Sequence, residues 1–150
     1  TAPLAGVVED LLAAAPGTRW LRDATRGGVG TVANELARAS ETAVVLDETA
    51  LPVRPEVAAA CEMLGIDPLY VANEGRFVAV VPAAEAEVAL AALRAHPVGR
   101  GAARVGEIHA DPPGIVVLRT PIGGTRIGAI GQQGSDGVGT AMPAVAGGGE

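Results

Sequence analysis

The sequence predicts an α+β fold in which helices pack on an antiparallel or mixed sheet. Helical and strand-like segments alternate, and two pairs of strand-like segments are separated by short turns rich in Gly, Pro, Asn and Asp. Such turns favour antiparallel pairing, whereas parallel neighbours need a long crossover connection. The 150 residues, 49% hydrophobic and 19% charged, suit a single globular domain.

Four segments show the spacing of apolar residues that is typical of amphipathic helices. They are residues 4–12, 29–36, 55–65 and 83–96. Pro55 stands in the first turn of the third helix, and Gly65 is expected as its C-cap.

The strand-like segments are apolar and bounded by turn residues. TAVVLD (42–47) is predicted as a short buried strand, and LYVANEGRFVAVV (69–81) as a hairpin with its turn at residues 73–75. ARVGEIH and GIVVLRT, on either side of the turn at residues 111–114, are expected to form a second hairpin.

The character of the chain changes near its end. Ten of the 21 glycines lie in the last 30 residues, where no apolar period is present. We therefore expect a folded domain over residues 1–127 and a tail over 128–150 that is disordered or extended.

Composition excludes several classes of function. The net charge is −6, all 11 basic residues are Arg, and aromatic residues make up 2%, which argues against nucleic-acid binding. No apolar run is long enough to span a membrane, and no secretory signal is visible, so a cytoplasmic location is expected. One cysteine and two separated histidines predict neither a disulfide nor a metal site.

The stretch LRDATRGGVGTVANEL (21–36) allows two interpretations. Glycines at a helix N-terminus, with Arg26 beside them and Asp23 orienting it or holding Mg²⁺, suit phosphate binding. Alternatively, Thr25 caps the helix, Asp23 favours its dipole, and the glycines allow close packing. The local pattern alone favours the second interpretation.

Two further residues invite a chemical role. Glu74 stands between Asn73 and Gly75 at the expected hairpin tip, where a glutamate has no turn preference; it suits either a general base or a solvated tip. Cys61 shares a helix face with Val57 and Leu64, which predicts a buried, inert thiol.

Taken in order, the segments LRDATRGGVGTVANELA, LPVRPEVAAACEMLGIDPLYVANEGRFVAVV, AHPVGR, GEI and TPIGGTRI resemble the C-terminal half of the HypE family of hydrogenase maturation factors. That family is part of the aminoimidazole ribonucleotide (AIR) synthase superfamily. The resemblance covers about residues 3–127.

The resemblance implies one half of an ATP-dependent carbamoyl dehydratase. In that family a HypF carbamoyltransferase loads a C-terminal cysteine, ATP activates the carboxamide oxygen, and the resulting thiocyanate supplies cyanide to a HypC–HypD complex for [NiFe] hydrogenase. By the same resemblance Glu74 accepts the amide proton, and ATP with Mg²⁺ is the cofactor. The residues expected to line the nucleotide are Asp23, Thr25, Arg26, Gly27, Gly28 and Asn73.

Two departures from the family pattern shape these expectations. The family's N-terminal domain, which carries most of the ATP site and the homodimer interface, is not in this sequence, so we expect the chain to be inactive alone. The family tail ends in Pro-Arg-Ile-Cys and this chain in AVAGGGE, so the carrier cysteine is absent here. A non-catalytic docking module for the maturation partners, or half of another enzyme of the superfamily, are the alternatives.

Overall fold

The computed structural model describes residues 4–72, 74–127 and 140–146 of the chain. Its helices are α1 (Ala5–Ala14), α2 (Gly28–Ser40), α3 (Pro55–Leu64) and α4 (Ala86–Ala95). Its strands are β1 (Trp20–Asp23), β2 (Ala43–Asp47), β3 (Arg76–Pro82), β4 (Ala103–His109), β5 (Val116–Arg119), β6 (Thr125–Ile127) and β7 (Thr140–Ala146). Within these ranges no helix is both long and apolar enough to span a bilayer.

The strands form one mixed sheet in the order β1-β3-β7-β4-β2-β5-β6. Every neighbouring pair is antiparallel except β2 and β5, which run parallel. The predicted α+β class with a mixed sheet is therefore confirmed.

Helices cover both faces of the sheet. Successive side chains of β3 point to opposite faces of the sheet. Phe77, Ala79 and Val81 pack in a cluster with α1 and α4. Val78 and Val80 pack in a second cluster with α2. β3 is consequently buried on both faces, which explains its nearly continuous apolar sequence.

The four predicted helices are confirmed, with a short 3₁₀ turn (Ala83–Glu85) preceding the fourth. Pro55 opens α3, and Gly65 ends it in the left-handed conformation with φ +66°. Cys61 is 6% exposed, which confirms its predicted burial, but Leu64, expected on the same buried helix face, is 71% exposed.

The hairpin predicted over residues 69–81 is wrong. Asp67 accepts a hydrogen bond from the Leu69 amide at 2.9 Å, and with Pro68 it begins a 3₁₀ helix (Pro68–Tyr70) instead of a strand. Leu69 is buried, so its apolar character anchors this turn in the core. β3 pairs with β1 and β7, neither of which is its neighbour in sequence.

The second predicted hairpin is also wrong, because β2 lies between β4 and β5. The turn after β4 crosses the end of β2, where the Gly114 amide donates to the Thr42 carbonyl at 2.9 Å. The chain then continues alongside β2, and the Val44 amide donates to the Ile115 carbonyl at 3.0 Å. A contact between segments so distant in sequence leaves no local signal.

Part of the expected tail is described as β7, paired between β3 and β4. Residues 128–139 and 147–150, the rest of that tail, lie outside the described residues.

Candidate functional site

The glycines after β1 form a sharp corner that leads into α2. Gly27 and Gly28 have φ of +69° and +64°, in the left-handed region that strains residues with a Cβ atom. The Thr31 amide donates to the Gly27 carbonyl at 3.3 Å, so the helix begins directly at this corner. We call residues 25–28 the glycine corner.

A second segment lies against this corner. A Cβ atom added at Gly28 would stand 2.5 Å from the Leu69 carbonyl oxygen and 2.6 Å from that of Val71. At Gly30 it would meet the Tyr70 ring at 2.7 Å. Close packing, one of the two interpretations of the glycines, is thus present in the structure, and its partner is the segment of residues 67–72.

Thr25 does not cap α2, so this expectation was wrong. The N-cap residue is the left-handed Gly27, two residues after Thr25, and the cap has no side-chain hydrogen bond. Thr25 Oγ1 instead donates to Asp23 Oδ2 at 2.6 Å. This bond orients the exposed Asp23 carboxylate at the end of β1.

Glu74 is exposed and lies two residues before β3. Asp23 pairs with Phe77 across the antiparallel β1–β3 ladder, and the Ala24 amide donates to the Arg76 carbonyl at 3.0 Å. The glycine corner follows β1 and Glu74 precedes β3, so both lie at the same end of this strand pair. Asn73, also expected near the nucleotide, lies outside the described residues.

Arg26 is exposed at the corner, and in the described part of the chain no carboxylate pairs with it. The exposed Arg22 one strand position before Asp23 pairs with Glu35 of α2 at 3.2 Å. Because neighbouring strand residues point to opposite faces, Asp23 extends away from α2. The structure thus brings the predicted residues that it describes, all but Asn73, to one end of the sheet, but not onto one face of it.

Arg76, a cation at the start of β3, was not among the residues predicted from the sequence. Its alternation with Val78 places it on the α2 face, and it makes no ion pair among the described residues. Burial, followed by the charge of Arg54, lowers the pKa of the Arg76 guanidinium. An anion at this end of the sheet would relieve that repulsion. A charged residue opening an otherwise apolar strand was the available signal.

Metal ligands are not clustered in the described ranges: no group of three His, Cys, Asp or Glu side chains there could hold an ion. His96 Nδ1 accepts from the Val98 amide at 3.3 Å, and His109 Nε2 lies 3.0 Å from Glu107 Oε2. Both histidines therefore have local structural contacts.

A pocket of about 510 Å³ lies between α3, the turn after β2 and the start of the 67–72 segment. Leu69 and Asp67 form one wall, Cys61 and Ile66 another, and Arg126 reaches in from β6. The Cys61 thiol therefore lines a mostly apolar cavity whose lining includes neither Glu74 nor the glycine corner.

Comparison with known proteins assigns the family. The family described as AIR synthase related protein, C-terminal domain, matches residues 5–119. The chain is 53% identical over 127 residues to a carbamoyl dehydratase HypE of Cupriavidus necator, a match that spans 85% of this chain and 36% of that protein. The chain thus spans little more than a third of this curated relative.

Two solved structures extend the likeness to three dimensions. A crystal structure of hydrogenase maturation protein HypE in complex with ATP aligns with TM-score 0.77 and 42% identity, covering 85% of this chain and 40% of that one. A HypE–HypF complex aligns with TM-score 0.80 and 39% identity, covering 85% and 41%. The chain is thus homologous to HypE proteins, and it belongs to the family of AIR synthase related proteins as their C-terminal domain.

Proposed function

We propose that this chain is the C-terminal domain of a HypE-type carbamoyl dehydratase and forms one wall of its ATP-dependent dehydration site. The observation that carries this proposal is the position of Glu74 and the glycine corner at the same end of the β1–β3 pair. A proton acceptor and an anion-facing corner are the two parts that such a reaction needs from a protein.

In this proposal the substrate is a carboxamide on a carrier sulfur. ATP transfers its terminal phosphoryl group to the carboxamide oxygen, ADP leaves, and the nitrogen loses the first of its two N–H protons to solvent. Glu74 then accepts the remaining N–H proton, the C–O bond breaks, phosphate leaves, and the C≡N bond of a thiocyanate forms. Glu74 is exposed two residues before β3, so its side chain is accessible to a substrate at this end of the sheet.

The nucleotide is expected to lie with its phosphates toward Arg26, Gly27 and Gly28. Arg76 adds a half-buried positive charge that no described carboxylate neutralises. Asp23, held by Thr25, offers one oxygen ligand for Mg²⁺. Since Mg²⁺ on a nucleotide takes only one or two protein carboxylates, the absence of a larger cluster in the described ranges fits this role.

The partners follow from the same homology. The HypE–HypF complex that aligns with 85% of this chain supports a HypF-like carbamoyltransferase as partner. We further propose a HypC–HypD complex as acceptor of the cyanide, and a homodimer formed through the part of HypE that this chain does not span.

A chimera tests the catalytic proposal. Residues 4–127 of this chain replace the matched segment of the Cupriavidus necator HypE, which keeps its own remaining sequence. With HypF and carbamoyl phosphate the chimera should hydrolyse ATP and form thiocyanate. Glu74→Gln should lower the dehydration rate by about 100-fold or more, because it removes the proton acceptor.

Glu87→Gln is the matched control. Glu87 is an exposed glutamate on α4, a helix that packs on the face of the sheet opposite to α2. It should leave the rate unchanged. Full activity of the Glu74→Gln chimera would remove Glu74 from the mechanism.

A docking module is the second candidate function. Met63 is 87% exposed, Leu64 71% and Ile66 48%, so one end of α3 presents adjoining apolar side chains. Exposed apolar clusters mark protein interaction sites. A chimera that binds HypF yet forms no thiocyanate would favour this function.

A further inference from the structure

One arginine connects three segments beside the proposed site. Arg126 Nε donates to Glu48 Oε1 at 2.7 Å, and Arg126 Nη2 donates to Asp67 Oδ2 at 2.7 Å. Arg126 belongs to the edge strand β6, Glu48 to the turn after β2, and Asp67 to the segment facing the glycine corner. The sequence motif IGGTR, which ends in this arginine, has no other role in the site described above.

The two oxygens of Asp67 have different partners. Oδ2 accepts from Arg126, whereas Oδ1 accepts from the Leu69 amide at 2.9 Å and so caps the 3₁₀ helix. That helix presents the Leu69 carbonyl to Gly28, and Val71 follows with a second carbonyl contact. A continuous chain of contacts therefore runs from Arg126 through Asp67 to the glycine corner.

The Glu48 and Asp67 carboxylates share Arg126 as their positively charged partner. The side chains of Glu48 and Asp67 are only 22% and 27% exposed, and both approach the same guanidinium. The hydrogen bonds that Arg126 donates, to Asp67 first and to Glu48 second, raise the pKa of the Arg126 guanidinium. Without the guanidinium, two partly buried negative charges would face each other, and such an arrangement is repulsive.

We propose that Arg126 is a positioning residue: its forked contacts hold the 67–72 segment against Gly28 and thereby set where Glu74 stands relative to the glycine corner. Its catalytic consequence rests on the proposed function, but its hold on the segment does not. The planar guanidinium can serve both acids at once, whereas a lysine ammonium is a single point of charge.

Hydrogen exchange of this 150-residue chain tests the hold directly. Arg126→Gln should speed exchange at the amides of Leu69, Tyr70 and Val71 by about tenfold, because their turn loses its anchor. The Val44 amide, within the sheet, should be unaffected. Arg126→Lys should fall between the wild type and Arg126→Gln.

Arg104→Gln is the matched control. It removes an ion pair with Glu107 of 2.8 Å at similar exposure, but on β4, away from the 67–72 segment. Unchanged exchange in Arg126→Gln, an equal effect of Arg104→Gln, or acceleration that extends equally to Val44 would each overturn the proposal.

The chimera gives the catalytic readout. Arg126→Gln should lower kcat by about tenfold with KM for ATP unchanged, since a displaced Glu74 affects the chemical step more than nucleotide binding. An effect on KM alone would contradict positioning. If the unmutated chimera is inactive, or Glu74→Gln leaves it active, the proposed function fails, and the exchange experiment still decides whether Arg126 holds the segment.

Discussion

Replacing Gly28 by alanine tests how tightly the 67–72 segment packs on the glycine corner. The new Cβ would lie 2.5 Å and 2.6 Å from two backbone carbonyl oxygens, well inside the 3.4 Å at which ordinary contact begins. Backbone atoms on a core-anchored turn move less readily than side chains, so overpacking should cost about 1–3 kcal/mol. The left-handed φ of +64° adds about 1–2 kcal/mol.

The free energy of unfolding should therefore fall by about 2–5 kcal/mol, which for a chain of this length lowers the melting midpoint by roughly 10 °C. Urea unfolding followed by circular dichroism measures this change. Gly65→Ala is the control, because Gly65 has nearly the same φ (+66°) and nothing within 4 Å of the added Cβ. Gly65→Ala should lose only the stability that the left-handed φ costs, about 1–2 kcal/mol. If Gly28→Ala is no more destabilising than Gly65→Ala, the close approach is not real.

Two further predictions concern single side chains. The Cys61 thiol should react with a maleimide about 100-fold or more slowly in the native chain than in urea, since it is 6% exposed; equal rates would contradict its burial. Thr49→Val should raise the pKa of Asp47 toward its ordinary value of 3.8. In the wild type, hydrogen bonds from the Thr49 hydroxyl, and secondly from the Thr49 amide, hold this pKa lower. Because the pKa of Asp47 is lower in the folded state, the ionised carboxylate stabilises the fold above pH 3.8. That contribution is lost as the pH falls through the native pKa of Asp47. The variant should thus be less stable than the wild type at pH 7 and equal to it once Asp47 is protonated. A carboxyl titration by NMR that leaves this pKa unchanged would refute the argument.

Local chemistry was sufficient to predict the helices of this fold. Pro55 and Gly65 begin and end α3 through their own backbone preferences, which act within a few residues. The sheet order was not accessible in the same way. β2 lies between β4 and β5 because of contacts between residues 60 or more positions apart, and Asp67 turns an apparent strand into a 3₁₀ helix.

The candidate site, like the fold, could be predicted only in part from the sequence. The two glycines of the corner were identified from their position, and their left-handed conformation agrees with the need for residues without a Cβ atom. Their packing partner, residues 67–72, comes from a segment about 40 residues later, which no local pattern indicates. Arg76 and Arg126 likewise gain their significance from tertiary neighbours: burial for the first and two carboxylates for the second.

The central claim is that the arginine of the glycine corner and Glu74 border one cleft. Disulfide formation tests it most directly, in a Cys61→Ser background that carries Arg26→Cys and Glu74→Cys. Arg26 comes three residues after Asp23, and Glu74 three residues before its ladder partner Phe77, so the pair should oxidise rapidly within one chain. The control pair, Glu41→Cys with Glu74→Cys, places one thiol at the far end of α2, about 20 Å along the helix, and should not oxidise within one chain. Failure of the first pair to close, or equal closure of both, would contradict the account.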